Sequence, residues 1–207
     1  MSSVSTRRRA RMLLSEVCTV LSGLTLRSRL DGAPSGPLAV QQGDISPSGA
    51  YERRSVLRLD PSEYSPHHLV TTGDVLFRSR GPFWSAWAVS EADESLVAVA
   101  PLFILRPSAD IDPGFLAWQL GRPSSQRYFE TEAMGSGVRM ITKPVLEALH
   151  LVLPSIDRQR DIAATASLAV HETQLLTHLA SLKYVLTGAQ LDSALLHEPS
   201  TPRRKFS

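Results

Sequence analysis

Arginine is the residue whose chemistry stands out in this 207-residue sequence, with 19 arginines against only 3 lysines. A planar guanidinium offers five donors in a fixed fork, which suits guanine edges and phosphate oxygens better than an ammonium point charge does. Two loops concentrate such donors. Arg78-Ser79-Arg80-Gly81-Pro82 forms a short polar stretch between apolar runs, and its side chains could meet phosphate or a base edge. Gly135-Ser136-Gly137 allows close backbone approach, with Arg139 and Lys143 following as phosphate contacts. Arg80 has a competing use, an internal pair with Asp74 that would brace its loop. Arg53-Arg54 is a third cationic pair, for which a solvated charge run is the alternative. Bulk charge carries no such signal. The formal net charge is +2, and residues 13–155 hold 12 Lys/Arg against 15 Asp/Glu. The surplus sits in Arg7, Arg8, Arg9, Arg11 and Arg203, Arg204, Lys205, and a GC-rich genome would enrich arginine everywhere. A nucleic-acid face, if built, must therefore be a local stripe against acidic flanks.

Other chemistries lack their residues. No G-x-x-x-x-G-K-[ST] loop exists for nucleotide hydrolysis. Asp60-Pro61-Ser62-Glu63-Tyr64 and Asp112-Pro113-Gly114-Phe115 approach the amine-holding loop of an amino-methyltransferase but lack its second proline, and no glycine-rich cofactor turn follows a strand. None of Lys143, Lys183 and Lys205 sits in a Glu-x-Lys nuclease pattern. His67 and His68 are adjacent and would face opposite sides of a strand, which reads as a surface pair and not a zinc site. Ser79, Ser85 and Ser136 have no G-x-S-x-G frame. The single cysteine, Cys18, excludes an internal disulfide, so an oxidising compartment has no support and the cytoplasm is expected. No apolar run is long enough to span a membrane.

The elements that must position the two arginine loops can be read from periodicity. Residues 1–11 read as a basic flexible tail, and 11–22 as a short strand or helix turn ending at Gly23. Residues 23–50 are rich in Gly, Pro and Ser, so strands there must be short. A Gly73-Asp74 turn, the strand Val75–Phe77 and a second strand around Trp87–Val89 make a hairpin with the Arg78–Pro82 loop at its tip. Residues 96–106 form one further β-prone run. Asp112-Pro113 opens a helix with Phe115, Leu116, Trp118 and Leu120 on its core face. That helical texture continues to the glycines at 135 and 137, and a short helix from Pro144 and a strand His150–Leu153 close the globule at Pro154.

A long helix follows over 155–188, with Ser155 as its N-cap, Asp157 in its first turn and Gly188 as its stop. Leu168, Leu175, Leu179, Leu182 and Leu186 recur at coiled-coil spacing, interrupted by Thr165 and Glu172, and predict packing against a partner helix. Residues 189–207 read as a flexible tail. The expected fold class is a mixed α+β globular domain, residues 12–154, followed by one long C-terminal coiled-coil-type helix.

A succession of segments over residues 13 to about 188 resembles the specificity (S) subunits of type I restriction-modification systems. Gly73-Asp74-Val75-Leu76-Phe77-Arg78-Ser79-Arg80-Gly81 is similar to the family's "GD[IV]L-[FL]-x-S-R-G" signature. Ile111-Asp112-Pro113-Gly114-Phe115-Leu116 resembles its "[IV]-[DL]-P-x-[FY]-L" helix start. Gly135-Ser136-Gly137 with Ile141 to Leu146 resembles its glycine loop and helix. Leu151-Val152-Leu153-Pro154 through Arg158-Gln159-Arg160-Asp161-Ile162-Ala163 resembles the start of its long helix. Leu14 to Gly23, and Leu38-Ala39-Val40 with Gln42-Gly43-Asp44-Ile45, are weaker matches.

The resemblance implies a non-catalytic target-recognition domain that binds double-stranded DNA and directs a partner adenine methyltransferase (M) subunit, with or without a restriction (R) subunit. Arg53, Arg54, Arg78, Ser79, Arg80, Ser136, Arg139 and Lys143 are then the DNA-contact candidates, base readout falling to Arg53-Arg54 in a stretch that the family varies. No cofactor is implied in this chain, and S-adenosylmethionine is expected on the methyltransferase. Family members commonly carry two recognition domains and two long helices where this sequence shows one of each. A half-length subunit could restore the pair by homodimerising through the Leu168–Leu186 helix, which implies a palindromic bipartite site. The competing expectation is an interaction or regulatory module that keeps the fold without touching DNA, and the acidic body favours it.

Overall fold

The computed structural model describes residues 10–26, 33–91, 94–135 and 137–196. Ser136 and the tails 1–9 and 197–207 lie outside the described residues. In chain order the elements begin with β1 (Ala10–Leu13), α1 (Leu14–Val17), β2 (Cys18–Ser22), β3 (Leu38–Val40), β4 (Leu69–Val70), β5 (Val75–Arg78) and β6 (Ala86–Ala88). They continue with β7 (Leu96–Ala98), β8 (Leu102–Pro107), α2 (Pro113–Gly121), α3 (Pro123–Glu132), α4 (Lys143–Glu147), β9 (His150–Leu153) and α5 (Ile156–Leu196). The class is mixed α+β, as the sequence predicts. Two compact units divide between Val170 and His171.

The first unit is organised by an antiparallel four-stranded sheet in the order β2-β8-β5-β6. Val75, Leu76 and Phe77 are all fully buried, because the sheet is covered on both faces. Val75 and Phe77 join Val20, Leu105, Leu116, Leu120 and Phe129 in a core shared with the helices. Leu76 and Ile104 face the other way, onto Leu38, Val40 and Val70 of a three-stranded sheet ordered β3-β7-β4. Alternation along β5 thus feeds two cores from one strand. Each such burial contributes roughly 1.5–3 kcal/mol.

The predicted hairpin forms, with Val75 opposite Ala88 and Phe77 opposite Ala86. Asp112 caps α2 through its carboxylate, which accepts from the Phe115 N–H at 2.9 Å. Four boundaries differ from the sequence reading. Ala10 and Arg11 are not tail but strand, paired with Leu153 and Val152. The single run 96–106 is two strands in different sheets, divided at Ala100-Pro101, where proline has no N–H for a ladder. The helical stretch predicted up to the glycines breaks at Arg122, which is extended because Pro123 follows, and α3 then ends at Glu132. Finally, α5 does not stop at Gly188 but runs to Leu196. An isolated glycine costs a helix only about 1 kcal/mol, and Ala189-Gln190-Leu191 are good helix formers.

The start of α5 is anchored by a buried glutamine. Gln159 accepts from the Asp112 N–H at 3.0 Å and donates to the Asp110 and Pro154 carbonyls at 3.0 and 3.1 Å. One side chain therefore ties the first turn of α5 to the entry of α2. Among the described residues, no helix is long and apolar enough to cross a membrane.

Candidate nucleic-acid interface

The β5–β6 loop is held from within by two of the residues expected to touch a ligand. Arg78 is 8% exposed; its Nη1 donates to the Ile45 carbonyl at 2.7 Å, and its guanidinium carbon sits 4.2 Å from the Phe83 ring centroid. Burial, and then the charge of Arg54, lower its pKa. Its Nε is buried with no hydrogen-bond partner among the described residues. Ser79 is likewise buried, and its hydroxyl donates to the Pro101 carbonyl at 2.5 Å. Both side chains are engaged by the protein, Arg78 through Nη1 and its ring contact and Ser79 through its hydroxyl, and both brace the loop. Their burial and internal hydrogen bonds give them a positioning role in the loop, beside the contact with DNA expected from the sequence.

Arg80 behaves differently. It is exposed, and no ion pair or side-chain hydrogen bond is recorded for it among the described residues. The internal pair with Asp74 does not form. Asp74 is instead bound to Arg106 at 3.1 Å and to the Thr71 N–H at 2.9 Å.

The two arginine loops meet. Gly81 N–H donates to the Arg139 carbonyl at 3.0 Å, and Ile141 N–H donates to the Ser79 carbonyl at 2.8 Å. Gly81 lies at φ +124°, a backbone conformation that favours glycine. Arg139 is half-buried, with its guanidinium 5.6 Å from the Trp84 ring centroid and donating to the Glu130 carbonyl. Lys143, at the start of α4, is exposed and lies 3.6 Å from Glu147.

A third segment, 44–55, is pinned to the same hairpin. The Ser85 hydroxyl donates to the Ser46 carbonyl at 2.8 Å, and Tyr51 stacks on Trp87 with centroids 4.3 Å apart. Gly49 lies at φ +84°, and a Cβ there would come within 2.5 Å of the Ala86 carbonyl oxygen. Buried Asp44 organises the segment: its carboxylate accepts the N–H groups of Gln41, Arg54 and Ser55 at 2.7, 2.8 and 2.9 Å. Arg53 and Arg54 follow, exposed but each paired. Arg54 meets Glu52 at 2.5 Å, while Arg53 meets one oxygen of Glu94 at 2.9 Å and Arg58 takes the other at 2.5 Å. The hydrogen bond from Arg58, ahead of the charge of Arg53, keeps the Glu94 carboxyl below its ordinary range.

The structure therefore brings Arg78, Ser79, Arg80 and Arg139 together, with Arg54 close enough for its charge to act on Arg78. Arg53 belongs to the Glu94 clasp, Lys143 to α4, and Ser136 falls outside the described residues. Sequence reasoning overlooked the roles of Asp44 and Glu94. The Gln42-Gly43-Asp44-Ile45 turn was visible, but the ten-residue reach of Asp44 to Arg54 was not.

The predicted partner-helix residues form a separate feature. Leu168, Leu175, Leu179, Leu182 and Leu186 are all exposed. Because α5 continues past Gly188, Ala189 and Leu196 extend the seven-residue spacing of Leu168, Leu175 and Leu182.

No family model matches the sequence, and no curated relative matches it. Solved structures do. The S subunit of a type I restriction-modification system from M. genitalium superposes with a TM-score of 0.57 at 16% identity, covering 95% of this chain and 50% of that one. The HsdS subunit from Thermoanaerobacter tengcongensis gives 0.56 at 22% identity, covering 87% and 40%. A chain from work on complex assembly and conformational transition of the type I R-M system gives 0.55 at 20% identity, covering 90% and 43%. The chain spans half or less of the length of these structures. It has the fold of type I specificity subunits.

Proposed function

We propose that this chain is a non-catalytic DNA-recognition module of a type I restriction-modification system, which binds double-stranded DNA and directs a partner adenine methyltransferase to its site. One observation carries the reading: on a specificity-subunit fold, the Arg80 and Arg139 loops are joined by backbone hydrogen bonds, and Arg80 stands exposed there with no ion pair among the described residues. S-adenosylmethionine belongs to the methyltransferase, and the module works in the cytoplasm, where the chromosome is.

The exposed leucine seam of α5 supports the docking of a second helix, and we assign it to a second copy of this chain, with the methyltransferase bound to the same assembly. Fluorescence anisotropy with random-sequence duplexes tests the DNA reading. Binding weakens steeply between about 50 and 200 mM salt, and Arg80→Ala reduces the slope of log K against log salt by roughly one phosphate contact. A flat salt response of the wild-type chain contradicts the proposal.

A further inference from the structure

Two single-residue antiparallel bridges, Arg80–Met140 and Met134–Met140, lie side by side at the junction of the two arginine loops, and their hydrogen-bond pattern decides which way each residue points. Met134 and Met140 exchange both backbone hydrogen bonds, at 3.0 and 2.9 Å, so they are directly opposed and their side chains share a face. Arg80 opposes Met140 on its other side, in the pairing where the flanking residues make the bonds: Gly81 to Arg139, and Ile141 to Ser79. Side chains of such a pair also share a face. Arg80, Met140 and Met134 consequently form one row across the two bridges. Arg139 and Ile141, one step along, must point to the opposite face, as the complete burial of Ile141 and the seat of Arg139 over Trp84 bear out.

The row faces solvent. Met134 is 63% and Met140 39% exposed, and Arg80 is exposed beside them. Two long apolar side chains held outward on neighbouring strands make no contribution to either core. On the row's own face Arg80 supplies the cation, and the segments that build the row, 78–84 and 133–143, contain no carboxylate, against the acidic balance of residues 13–155. That local charge complements a polyanion.

We infer that this row enters the major groove, with Met134 and Met140 packing on thymine methyl groups and Arg80 taking a neighbouring guanine edge or phosphate. The inference rests on the DNA-binding reading above and names the residues that read sequence within it. Extended segments about 4.8 Å apart give a three-residue row a span of roughly 10 Å, within a major groove about 12 Å wide that admits a β-ribbon. The thymine C5-methyl is the apolar group that a base pair displays there. Unbranched methionine adapts to it without a fixed rotamer.

The test selects preferred duplexes from a randomised library with the wild-type chain, then measures their affinity with thymine replaced, position by position, by deoxyuridine, which lacks only the methyl. We expect a three- to tenfold weakening at one or two thymines for wild type, and no further weakening from the same replacements in the Met134→Ala, Met140→Ala double variant. Both residues are exposed, so the variant folds; an unchanged urea midpoint checks this. Selected sites without thymine dependence, or a double variant that keeps the wild-type methyl preference, overturn the inference while leaving salt-dependent DNA binding intact. A double variant that binds every duplex like wild type but no longer retains the methyltransferase assigns the row to a protein partner and also overturns it. Absence of DNA binding by wild type would overturn both readings.

Discussion

Asp44 has no salt bridge among the described residues; its carboxylate instead collects three backbone N–H groups from residues up to eleven positions away. It thereby fixes the path of the chain through Arg53 and Arg54. Asp44→Asn places an amide NH2 where donors converge, and a loss of about 1–3 kcal/mol is expected from urea unfolding, since buried donors are left unpaired. Glu94 acts in the opposite sense, by occupying Arg53 and Arg58. Glu94→Gln releases both, so binding of random duplex DNA should tighten severalfold at low salt, with a steeper salt slope. Unchanged binding would place Arg53 off the interface. Acidification acts in the same direction. Because the folded pKa of Glu94 is lowered, the clasp is fully present above the ordinary carboxylate range and opens only as pH falls through the lowered value. At this scale the arginine loops were legible in the sequence, but not which arginines are free. Arg78 and Arg80 are two residues apart in one motif, yet one is enclosed by Ile45 and Phe83 and the other faces solvent. That distinction depends on partners 33 residues upstream for Arg78 and across a bridge for Arg80.

Elements with a strong local signature were the readable ones. The Asp112-Pro113 cap, the hairpin and β9 follow from capping, turn chemistry and apolar alternation. Boundaries set by single residues were read less well, as Pro101 and Pro123 divide runs whose hydrophobic texture is continuous. At Gly188 the converse holds: the helix tolerates a glycine whose local signal is that of a stop. Gln159 shows how much one buried side chain contributes at an element junction. Its replacement by alanine leaves the Asp112 N–H and two carbonyls without their partner, and a fall of about 1–3 kcal/mol with an unchanged urea m-value is expected. The second half of α5 obeys a different logic, because its leucines are exposed within the chain. Leu179→Asp with Leu182→Asp should convert a dimer to a monomer in size-exclusion chromatography with light scattering, without lowering the urea midpoint of the first unit. A wild-type monomer at micromolar concentration would rule out the second copy as occupant.

For the molecule as a whole, a formally acidic body is compatible with DNA recognition because Arg80 stays exposed where two loops join, while Glu52 and Glu94 are taken up by Arg53, Arg54 and Arg58. The proposed recognition surface and an exposed leucine seam, which begins at Leu168 and runs on through the second unit, suit the adaptor proposed above, a chain that holds DNA with one part and protein with another. The direct test is the adenine methylome of cells that express the partner methyltransferase with and without this chain. Adenine methylation at a bipartite palindromic motif that appears only when the chain is present is the predicted result. The same motif methylated without the chain, or no sequence-specific methylation with it, would contradict the account.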